Sequence, residues 1–567
     1  MAAGLQSEPP AARSVAEARD LIERAHAAWQ RYRHFDQAQV DAIVDAMAAA
    51  ATAHAEALAR LAVEETTYGK VADKIQKNLF ASERVYQAIR PMRTVGMLRE
   101  DADQGIVELG EPVGVVAAIL PSTNPTSTAI YKILIALKAG NAIVLSPHPA
   151  AMRCICETVG LMQQAARRAG APEDLIGCFA TPTREGTAEL MRHPKTRVIL
   201  ATGGMGIVKA AYSSGKPAFG VGPGNVPVYI DRSAKLEKAV ADVVFGKSFD
   251  WGTICSSEQA IVAEVELREP ILAELRNQHA YLMSADEAAR LGATLIQGEA
   301  FTVNPKCVGQ SPQKLAALAG FGERVGPEAR ILAAELAGMG KQHPLSAEKL
   351  SPVLALFFMP DREAAWQRCR ELLHFGGLGH TCVIHAQDEA VAREFGARMP
   401  AFRVVVNSPA PLGSIGQTTN LFPAMTLGCG AVGGNITSDN IGPQHLMNIK
   451  RIAWERRQPQ AACACQHAGA GANMKEAELE RLVERVLAEK GIRQRAEAAE
   501  PDRTDPAAGN FTPPPLPRPP VPVAFVCEAD VRAALAAGRK IPIGPKTLIT
   551  PSAQDLGRER EAFETVT

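Results

Sequence analysis

Four short runs of aliphatic and β-branched residues recur between residues 114 and 231, and helical patterns or glycine-rich turns separate them. They read GVVAAIL (114–120), NAIVLSP (141–147), TRVILATGG (196–204) and VPVYID (226–231). Strands that are apolar throughout and alternate with helices are typical of a parallel sheet covered on both faces. The runs therefore predict a nucleotide-type α/β domain.

Two further parts surround these runs. Residues 12–65 are rich in the strong helix formers Ala, Leu, Glu and Arg, and predict an N-terminal helical region. A second α/β region extends from about 235 to 425, with strands expected at VLALFFM (353–359) and CVIHA (382–386). We therefore expect a helical region with a nucleotide-binding domain (1–234), a catalytic domain (235–427) and a segment that returns to the cofactor domain or serves oligomerisation (428–457).

The C-terminal tail has a different composition. A linker of small residues (458–472) precedes a periodic segment (473–492), and a proline-rich linker (493–522) separates it from a small module (523–567). We expect this tail to be largely disordered apart from one amphipathic helix. The helix is expected over the periodic segment, because its apolar residues fall on one stripe. The stripe comprises Leu479, Leu482, Val483, Val486 and Leu487. An isolated helix this short is marginal in water, so it must bury its stripe in an oligomer, on the body of the chain or on a partner.

Composition excludes several classes of partner. Formal net charge is zero and 47% of residues are hydrophobic, so no overall field attracts nucleic acid or an anionic membrane surface. No apolar run approaches the roughly 20 residues of a membrane span. The eleven cysteines are scattered and the start MAAGLQSEPPAARS has no signal-peptide pattern, which favours a reducing cytoplasm. Neither Cys-x-Cys pair, at 154/156 or 463/465, has a second pair at zinc spacing, so no metal site is expected.

Two glycine-rich turns are candidate cofactor-binding loops. ATGGMG (201–206) follows a predicted strand and opens a helix, so Gly203, Gly204 and Gly206 can present backbone amides to a phosphate. FGVGPGN (219–225) contains Gly222, whose backbone can lie close to a ligand. ATGGMG is not a full G-x-G-x-x-G motif, because Lys209 takes the place of the last glycine, and its spacing alone favours an ordinary glycine-rich turn over a phosphate loop. FGVGPGN is equally compatible with a tight loop before VPVYID.

Two polar residues stand in contexts suited to catalysis. Cys255 lies in FDWGTICSSEQAIV, and Asn124 lies in PSTNPTS directly after a buried strand, where α/β proteins place functional residues. A thiolate attacks carbonyl groups, and an Asn amide is a good donor to the oxyanion that results. The alternatives are that Cys255 is a buried packing residue and that Asn124 caps the turn before Pro125.

A family resemblance follows from several motifs taken together. PSTNPTS, ATGG, GVGPGN, the Cys255 segment, EKLSPV, GGLGHT and GGNITSDNIGPQHL occur in this order. This set resembles the CoA-acylating branch of the aldehyde dehydrogenase superfamily. It is similar in particular to the aldehyde-oxidising half of bifunctional aldehyde-alcohol dehydrogenases and to the propanal and acetaldehyde dehydrogenases of bacterial microcompartments. The resemblance covers about residues 13–455 and implies an α/β fold with a Rossmann-type cofactor domain and an α/β catalytic domain.

The resemblance also implies roles for individual residues. Cys255 matches the nucleophile, and Asn124 matches the side chain that holds the oxyanion together with the Cys255 backbone amide. Glu348 in EKLSPV matches a glutamate that contacts the nicotinamide ribose, although on its own it reads as a solvated charge. His380 in GGLGHT matches a histidine near nicotinamide or CoA, although a lone histidine in a glycine-rich loop is more often a turn residue.

The expected cofactor is NAD, with NADP as the less favoured alternative and CoA as cosubstrate. Superfamily members often hold the adenine ribose with a lysine at the place where this chain has Ser146, Pro147 and His148. Hydrolytic relatives carry a glutamate in the turn equivalent to GVGPGN, which here has no carboxylate. Without a base to activate water, a thioester on Cys255 should persist until CoA collects the acyl group.

The resemblance thus implies reversible oxidation of a short aldehyde, propanal or acetaldehyde, to acyl-CoA by a homo-oligomer. Residues 474–491 resemble the encapsulation peptides that dock enzymes to microcompartment shell or cargo proteins, which implies a location in a microcompartment lumen. The alternatives are a hydrolytic aldehyde dehydrogenase, an enzyme similar to acyl-phosphate reductases, and a non-enzymatic assembly scaffold.

Overall fold

The computed structural model describes residues 9–298, 301–457, 481, 485, 523, 525–545 and 547–565. The chain divides into two units, Met1–Pro459 and Gln460–Thr567, and we describe each by itself.

The first unit alternates helices and strands along most of its length. Its helices are α1 Pro10–Tyr32, α2 Gln37–Ala53, α3 Ala55–Thr66, α4 Val71–Leu79, α5 Val85–Ile89, α6 Pro125–Lys138, α7 Met152–Arg168, α8 Arg184–Arg192, α9 Met205–Tyr212, α10 Leu236–Ser248, α11 Arg268–Asn277, α12 Ala285–Leu295, α13 Pro312–Leu318, α14 Arg362–Gly376, α15 Glu389–Arg398 and α16 Ala410–Gly413. Its strands are β1 Gly96–Asp101, β2 Ile106–Pro112, β3 Val115–Ile119, β4 Ala142–Ser146, β5 Ile176–Cys178, β6 Thr196–Thr202, β7 Ala218–Val221, β8 Val226–Ile230, β9 Glu258–Glu264, β10 Ala280–Leu282, β11 Ile296–Gln297, β12 Thr302–Val303, β13 Ile331–Glu335, β14 Val353–Met359, β15 Gly379–His385, β16 Ala401–Val406 and β17 Met447–Ala453.

The predicted nucleotide-binding domain contains a five-stranded parallel sheet in the order β5-β4-β3-β6-β7. Every residue of β3 and β4 is buried, as is every residue of α6, which follows β3. Burial on all sides explains why these segments read as continuous apolar runs rather than alternating ones. The strands that the runs predicted are present with ends shifted by one or two residues.

The catalytic domain contains a seven-stranded parallel sheet in the order β10-β13-β14-β9-β8-β15-β16. Strand β8, the VPVYID run, was expected to belong with the cofactor-domain strands, but it pairs with β9 and β15 in the interior of this second sheet. The sheets therefore divide before Val226 and not after residue 234. Hydrophobicity marks a strand as buried but carries no information on which sheet it joins.

A third sheet joins distant parts of the chain. Strand β2 pairs antiparallel with β1 and with β17, so residues 447–453 return to a strand of the region 1–234. Strand β17 forms one edge of this sheet, and its residues are mostly exposed. Among them Ile449 and Ile452 are 44% and 45% exposed.

The described part of the second unit is built from two βαβ segments. The first comprises β18 Phe525–Val526, α17 Glu528–Ala536 and β19 Ile541–Ile543, and the second comprises β20 Leu548–Ile549, α18 Pro551–Glu559 and β21 Phe563–Thr565. The first strands of the two segments pair in parallel, and so do the last strands. A small core that includes Val526, Val531 and Ala553 lies between the elements.

The predicted amphipathic helix over 473–492 and both flanking linkers lie outside the described residues, except for Arg481 and Arg485. Both arginines are helical and exposed. Among the helices that the structure describes, none is both long and apolar enough to cross a membrane.

Candidate active site

A cavity of about 330 Å³ opens at the carboxyl ends of the cofactor-domain strands. Loops that follow β3, β4, β6 and β7 contribute to its wall, and so does the loop between α10 and β9 that carries Cys255. Ligands of α/β proteins bind at this edge because the loops there are free to vary while the strands hold them in place. Much of the remaining wall is apolar, with Ile254, Val308 and Leu350 as examples.

The loop that carries Cys255 has an unusual backbone. Asp250, Trp251 and Gly252 follow α10 with φ angles of 46°, 51° and 70°, which are left-handed values. Such values are rare for residues other than glycine and are often found where a functional site fixes the chain. The loop then delivers Thr253, Ile254 and Cys255 to the cavity wall before β9 begins.

Cys255 is half-buried and has a free thiol. Burial raises the pKa of the thiol to about 12, and the Glu348 carboxylate adds to the shift while Arg403 opposes it. The resting side chain is therefore a thiol at neutral pH, and it must lose its proton before or during attack. The described lining residues include no lysine or arginine that would lower this pKa by direct contact.

Asn124 lies opposite this loop, at the junction of β3 and α6. Its Nδ2 donates to the Thr253 carbonyl at 3.3 Å and to Thr123 Oγ1 at 3.2 Å, and its Oδ1 accepts a hydrogen bond from Lys77 Nζ. Asn124 occupies the N-cap position of α6 but makes no side-chain capping hydrogen bond to it. The amide NH₂ therefore faces the loop that carries Cys255.

Glu348 connects the segments EKLSPV and GVGPGN to the loop that carries Cys255. Its Oε1 accepts a hydrogen bond from the Gly224 N–H at 3.0 Å, and a Cβ atom on Gly224 would lie 2.2 Å from the Cys255 carbonyl oxygen. EKLSPV, GVGPGN and the cysteine loop thus meet at one point. Burial raises the pKa of Glu348 to about 7, against the opposing effects of the Gly224 amide, Lys247 and Lys349. Of the described residues that line the cavity, Glu348 alone carries a carboxylate.

His380 lies behind the cavity and not in its wall. It is the second residue of β15 and fully buried, whereas the sequence favoured a glycine-rich loop. Its Nδ1 is 2.9 Å from Thr381 Oγ1, its Nε2 has no hydrogen-bond partner among the described residues, and its Cδ2 would be 3.3 Å from a Cβ on Gly224. Burial, with a contribution from Arg403, lowers the pKa of His380 to about 3, so the ring is neutral.

The predicted cofactor-binding residues divide into two groups. Gly203, Gly204 and Gly222 line the cavity, and a Cβ on Gly204 would meet nothing within 4 Å, so a ligand phosphate can approach this backbone closely. The other three are not among the lining residues. Gly206 is in the first turn of α9. Ser146 is the last residue of β4 and its buried hydroxyl bonds to Thr187, and Pro147 follows the strand.

Sequence reasoning missed other residues of the wall. Tyr68 and Thr202 line the cavity. His148, named with Ser146 and Pro147 as a possible ribose position, lines it as well. Tyr68 comes from the turn between α3 and α4, and nothing in its local sequence points to a cavity more than fifty residues away in the chain. In the described parts of the chain, no cluster of three or more His, Cys, Asp or Glu is arranged to hold a metal ion.

The sheet order and this site define a class of protein. The profile of the "Aldehyde dehydrogenase family" matches residues 9–418, and the chain belongs to that family. It is 44% identical over 445 residues to the bifunctional aldehyde-alcohol dehydrogenase of Escherichia coli K12, a match that covers 78% of this chain and 50% of that protein. The chain thus spans about half the length of the curated relatives it matches.

Solved structures match over nearly their whole length. An acetylating aldehyde dehydrogenase from Geobacillus thermoglucosidasius is 48% identical with a TM-score of 0.78, over 80% of this chain and 99% of that one. A propionaldehyde dehydrogenase from the fucose utilisation bacterial microcompartment of Clostridium phytofermentans is 28% identical with a TM-score of 0.70, over 77% and 97%. The Rhodopseudomonas palustris propionaldehyde dehydrogenase, solved with bound CoA and an acylated cysteine, gives the same four values. The fold and the resemblance inferred from the motifs are confirmed.

Proposed function

We propose that this chain is a CoA-acylating aldehyde dehydrogenase that oxidises a short aldehyde, such as propanal or acetaldehyde, with NAD and CoA. The Cys255 sulfur adds to the aldehyde carbon, the Asn124 amide and the Cys255 backbone amide stabilise the oxyanion, and loss of hydride leaves a thioester on Cys255. Bound NAD supplies the hydride acceptor. Attack by the CoA thiol then transfers the acyl group and restores the free cysteine.

The observation that carries this proposal is the turn beside the nucleophile. Gly222 and Pro223 line the cavity, Gly224 abuts the Cys255 carbonyl, and none of the three has a carboxylate. The Asn225 side chain points elsewhere, because its Nδ2 donates to Ser346 and Leu372 carbonyls at 3.0 Å. The turn therefore offers no base to activate water, which favours a thioester that waits for a second thiol.

Residues for the cofactor fit the same cavity. The phosphates of the cofactor and the groups beside them would lie against the backbone of Gly203, Gly204 and Gly222. Glu348 would accept a hydrogen bond from the nicotinamide ribose. The preference for NAD over NADP stays a proposal. His380, buried behind Gly224, would support the turn and not contact the reacting atoms.

A rapid-mixing experiment tests the reaction. Protein, propanal and NAD without CoA should give a burst of NADH that ends after a single turnover, and CoA should restore continuous turnover with propionyl-CoA as product. Continuous NADH formation without CoA would indicate a hydrolytic enzyme. A requirement for phosphate in place of CoA would indicate an acyl-phosphate enzyme, and the absence of any burst would favour a scaffold.

We also propose that the chain forms a homo-oligomer through the sheet β1-β2-β17. The edge strand β17 is unpaired on its outer side among the described residues, and Ile449 and Ile452 of this strand and Trp454 directly after it are exposed. An exposed edge with apolar side chains is a template for pairing with another strand. Light scattering should show an oligomer for the native chain and a smaller species for the variant Ile449→Lys/Ile452→Lys.

Finally, we propose that residues 474–491 direct the enzyme into a bacterial microcompartment. The support is the one-sided apolar stripe between two linkers and the microcompartment origin of the Clostridium phytofermentans relative. A fluorescent protein fused to residues 470–495 should gather in puncta in cells that produce shells. A fusion with Leu482→Arg and Val486→Arg should stay diffuse, and diffuse fluorescence from both fusions would contradict the proposal.

A further inference from the structure

Helix α4 buries its charged side. Its buried residues are Asp73, Lys74, Lys77 and Asn78, and Lys74 and Lys77 are each 2% exposed. Taking charges out of water costs several kcal/mol per ion, and apolar residues of similar volume often serve stability equally well or better. Stability alone therefore does not account for two lysines in this position.

Asp250 is the counter-charge at the centre of this cluster. Its fully buried carboxylate accepts hydrogen bonds from Lys74 Nζ at 3.0 Å, from Thr253 Oγ1 at 2.7 Å and from Lys77 Nζ. Gly69, whose φ is +79°, packs directly against this carboxylate, because a Cβ on Gly69 would lie 1.9 Å from Asp250 Oδ1. The turn before α4 and the left-handed nucleophile loop are thus built around the same carboxylate.

Lys77 connects this cluster to Asn124. Its Nζ donates to Asn124 Oδ1, while the Asn124 Nδ2 points to the Thr253 carbonyl, two residues before Cys255. An ammonium group has only donors, so it bonds to the oxygen of the amide and not to its NH₂. A flipped amide would place its NH₂ against the ammonium and turn its oxygen toward the site where an oxyanion forms.

We propose that Lys77 is a positioning residue that fixes the orientation of the Asn124 amide, and that Asp250 holds Lys77 in place for this purpose. The inference rests on the proposed function, in which Asn124 donates to the oxyanion. Lys77 donates to Asn124, to Asp250 and, at 3.5 Å, to Thr253 Oγ1. Lys74 donates to Asp250 and to the Thr123 carbonyl at 3.1 Å without a hydrogen bond to Asn124, so the contact with the amide distinguishes the two lysines.

The charge state agrees with this role. Burial lowers the pKa of Lys77 to about 8, with Lys74 acting in the same direction and Asp250 and Asp73 opposing it. Lys77 is therefore mainly protonated at neutral pH. A protonated Lys77 also polarises the amide that it contacts, which strengthens the donor on the other side.

A double-mutant cycle on the full-length protein tests the inference, with the rate of the NADH burst from propanal as readout. Asn124→Ala should slow the burst by about 10²–10³-fold, the usual effect of removing one oxyanion donor. Lys77→Gln should slow it by roughly tenfold or more, because the amide loses its fixed orientation. Added to Asn124→Ala, Lys77→Gln should change the rate by less than about twofold, since residues that act as one unit are not additive.

Lys74→Gln is the matched control. It removes an equally buried lysine from the same carboxylate, so it should lower the thermal midpoint about as much as Lys77→Gln does while retaining far more of the burst rate. Alkylation of Cys255 by iodoacetamide should proceed at similar rates in both variants, since the nucleophile itself is unchanged. Where Lys77→Gln fails to fold, Asp250→Asn supplies the second variant, with the same non-additivity expected against Asn124→Ala.

Equal loss of burst rate in the Lys74 and Lys77 variants would overturn the inference, because it would assign the effect to the lost ion pair. A full effect of Lys77→Gln in the Asn124→Ala background would do the same. If Asn124→Ala itself leaves the burst unchanged, the oxyanion assignment in the proposed function fails instead, so the two failures are distinguishable.

Discussion

Gly224 packs closely against the backbone of Cys255, and its replacement by alanine is the most direct test of this packing. A Cβ there would lie 2.2 Å from the Cys255 carbonyl oxygen, 3.2 Å from its carbonyl carbon and 3.3 Å from His380 Cδ2. The neighbour at the shortest distance is backbone, so it cannot rotate away. The nucleophile loop must therefore move by about 1 Å, a displacement that typically costs about 10²-fold in rate.

The expected result for Gly224→Ala is an NADH burst slowed by about a hundredfold, with a loss of about 1–3 kcal/mol in the free energy of unfolding, typical of overpacking. Urea unfolding and rapid mixing measure the two effects on one preparation. Gly160→Ala is the control, because a Cβ on this residue of α7 would meet nothing within 4 Å. It should retain the native burst and gain about 0.5–1 kcal/mol in stability. A native burst rate in Gly224→Ala would refute the close packing of the turn against the nucleophile loop.

Three further predictions concern cysteines. Cys255→Ala should abolish both the burst and CoA-dependent turnover with little change in the thermal midpoint, and residual turnover would reassign the nucleophile. Because burial raises the pKa of Cys255 to about 12, its alkylation rate by iodoacetamide in the resting protein should keep rising from neutral pH to mildly alkaline pH. A plateau near neutral pH would contradict this. Cys156 Sγ and Cys178 Sγ are 2.8 Å apart, so diamide should join them in a disulfide, seen in peptide mass spectra as the loss of two hydrogens. Cys178→Ser should prevent it.

The parts of the fold that follow from burial could be predicted from the sequence. Strands β3, β4 and β14 are buried over most or all of their length, and their apolar runs locate them to within a residue or two. Which strands share a sheet could not be predicted, as β8 illustrates, because pairing depends on contacts between distant segments. Asn124 stood out because it directly follows a buried strand, and Cys255 stood out because its segment is one of several ordered motifs that together resemble the family.

The supporting charges of the site could not be predicted in the same way. Lysines usually mark the solvated side of a short helix. Only the structure shows that the side of α4 with Lys74 and Lys77 faces inward. His380 illustrates the opposite error, since its glycine-rich neighbourhood indicated a loop while the strand begins at Gly379. Ser146 and Pro147, which were predicted to bind the cofactor, do not line the cavity, whereas His148, one or two positions further along the chain, does.

The pairing of β2 with β17 has a consequence for biosynthesis. Pro112 lies opposite Met447, so the middle strand of this sheet leaves the ribosome hundreds of residues before its second neighbour exists. At about 5–20 residues per second, the wait lasts tens of seconds. During that interval the free side of β2 can hydrogen-bond with the same strand of a neighbouring nascent chain on the polysome. Co-translational exchange between copies is therefore the misassembly to which this topology is most exposed.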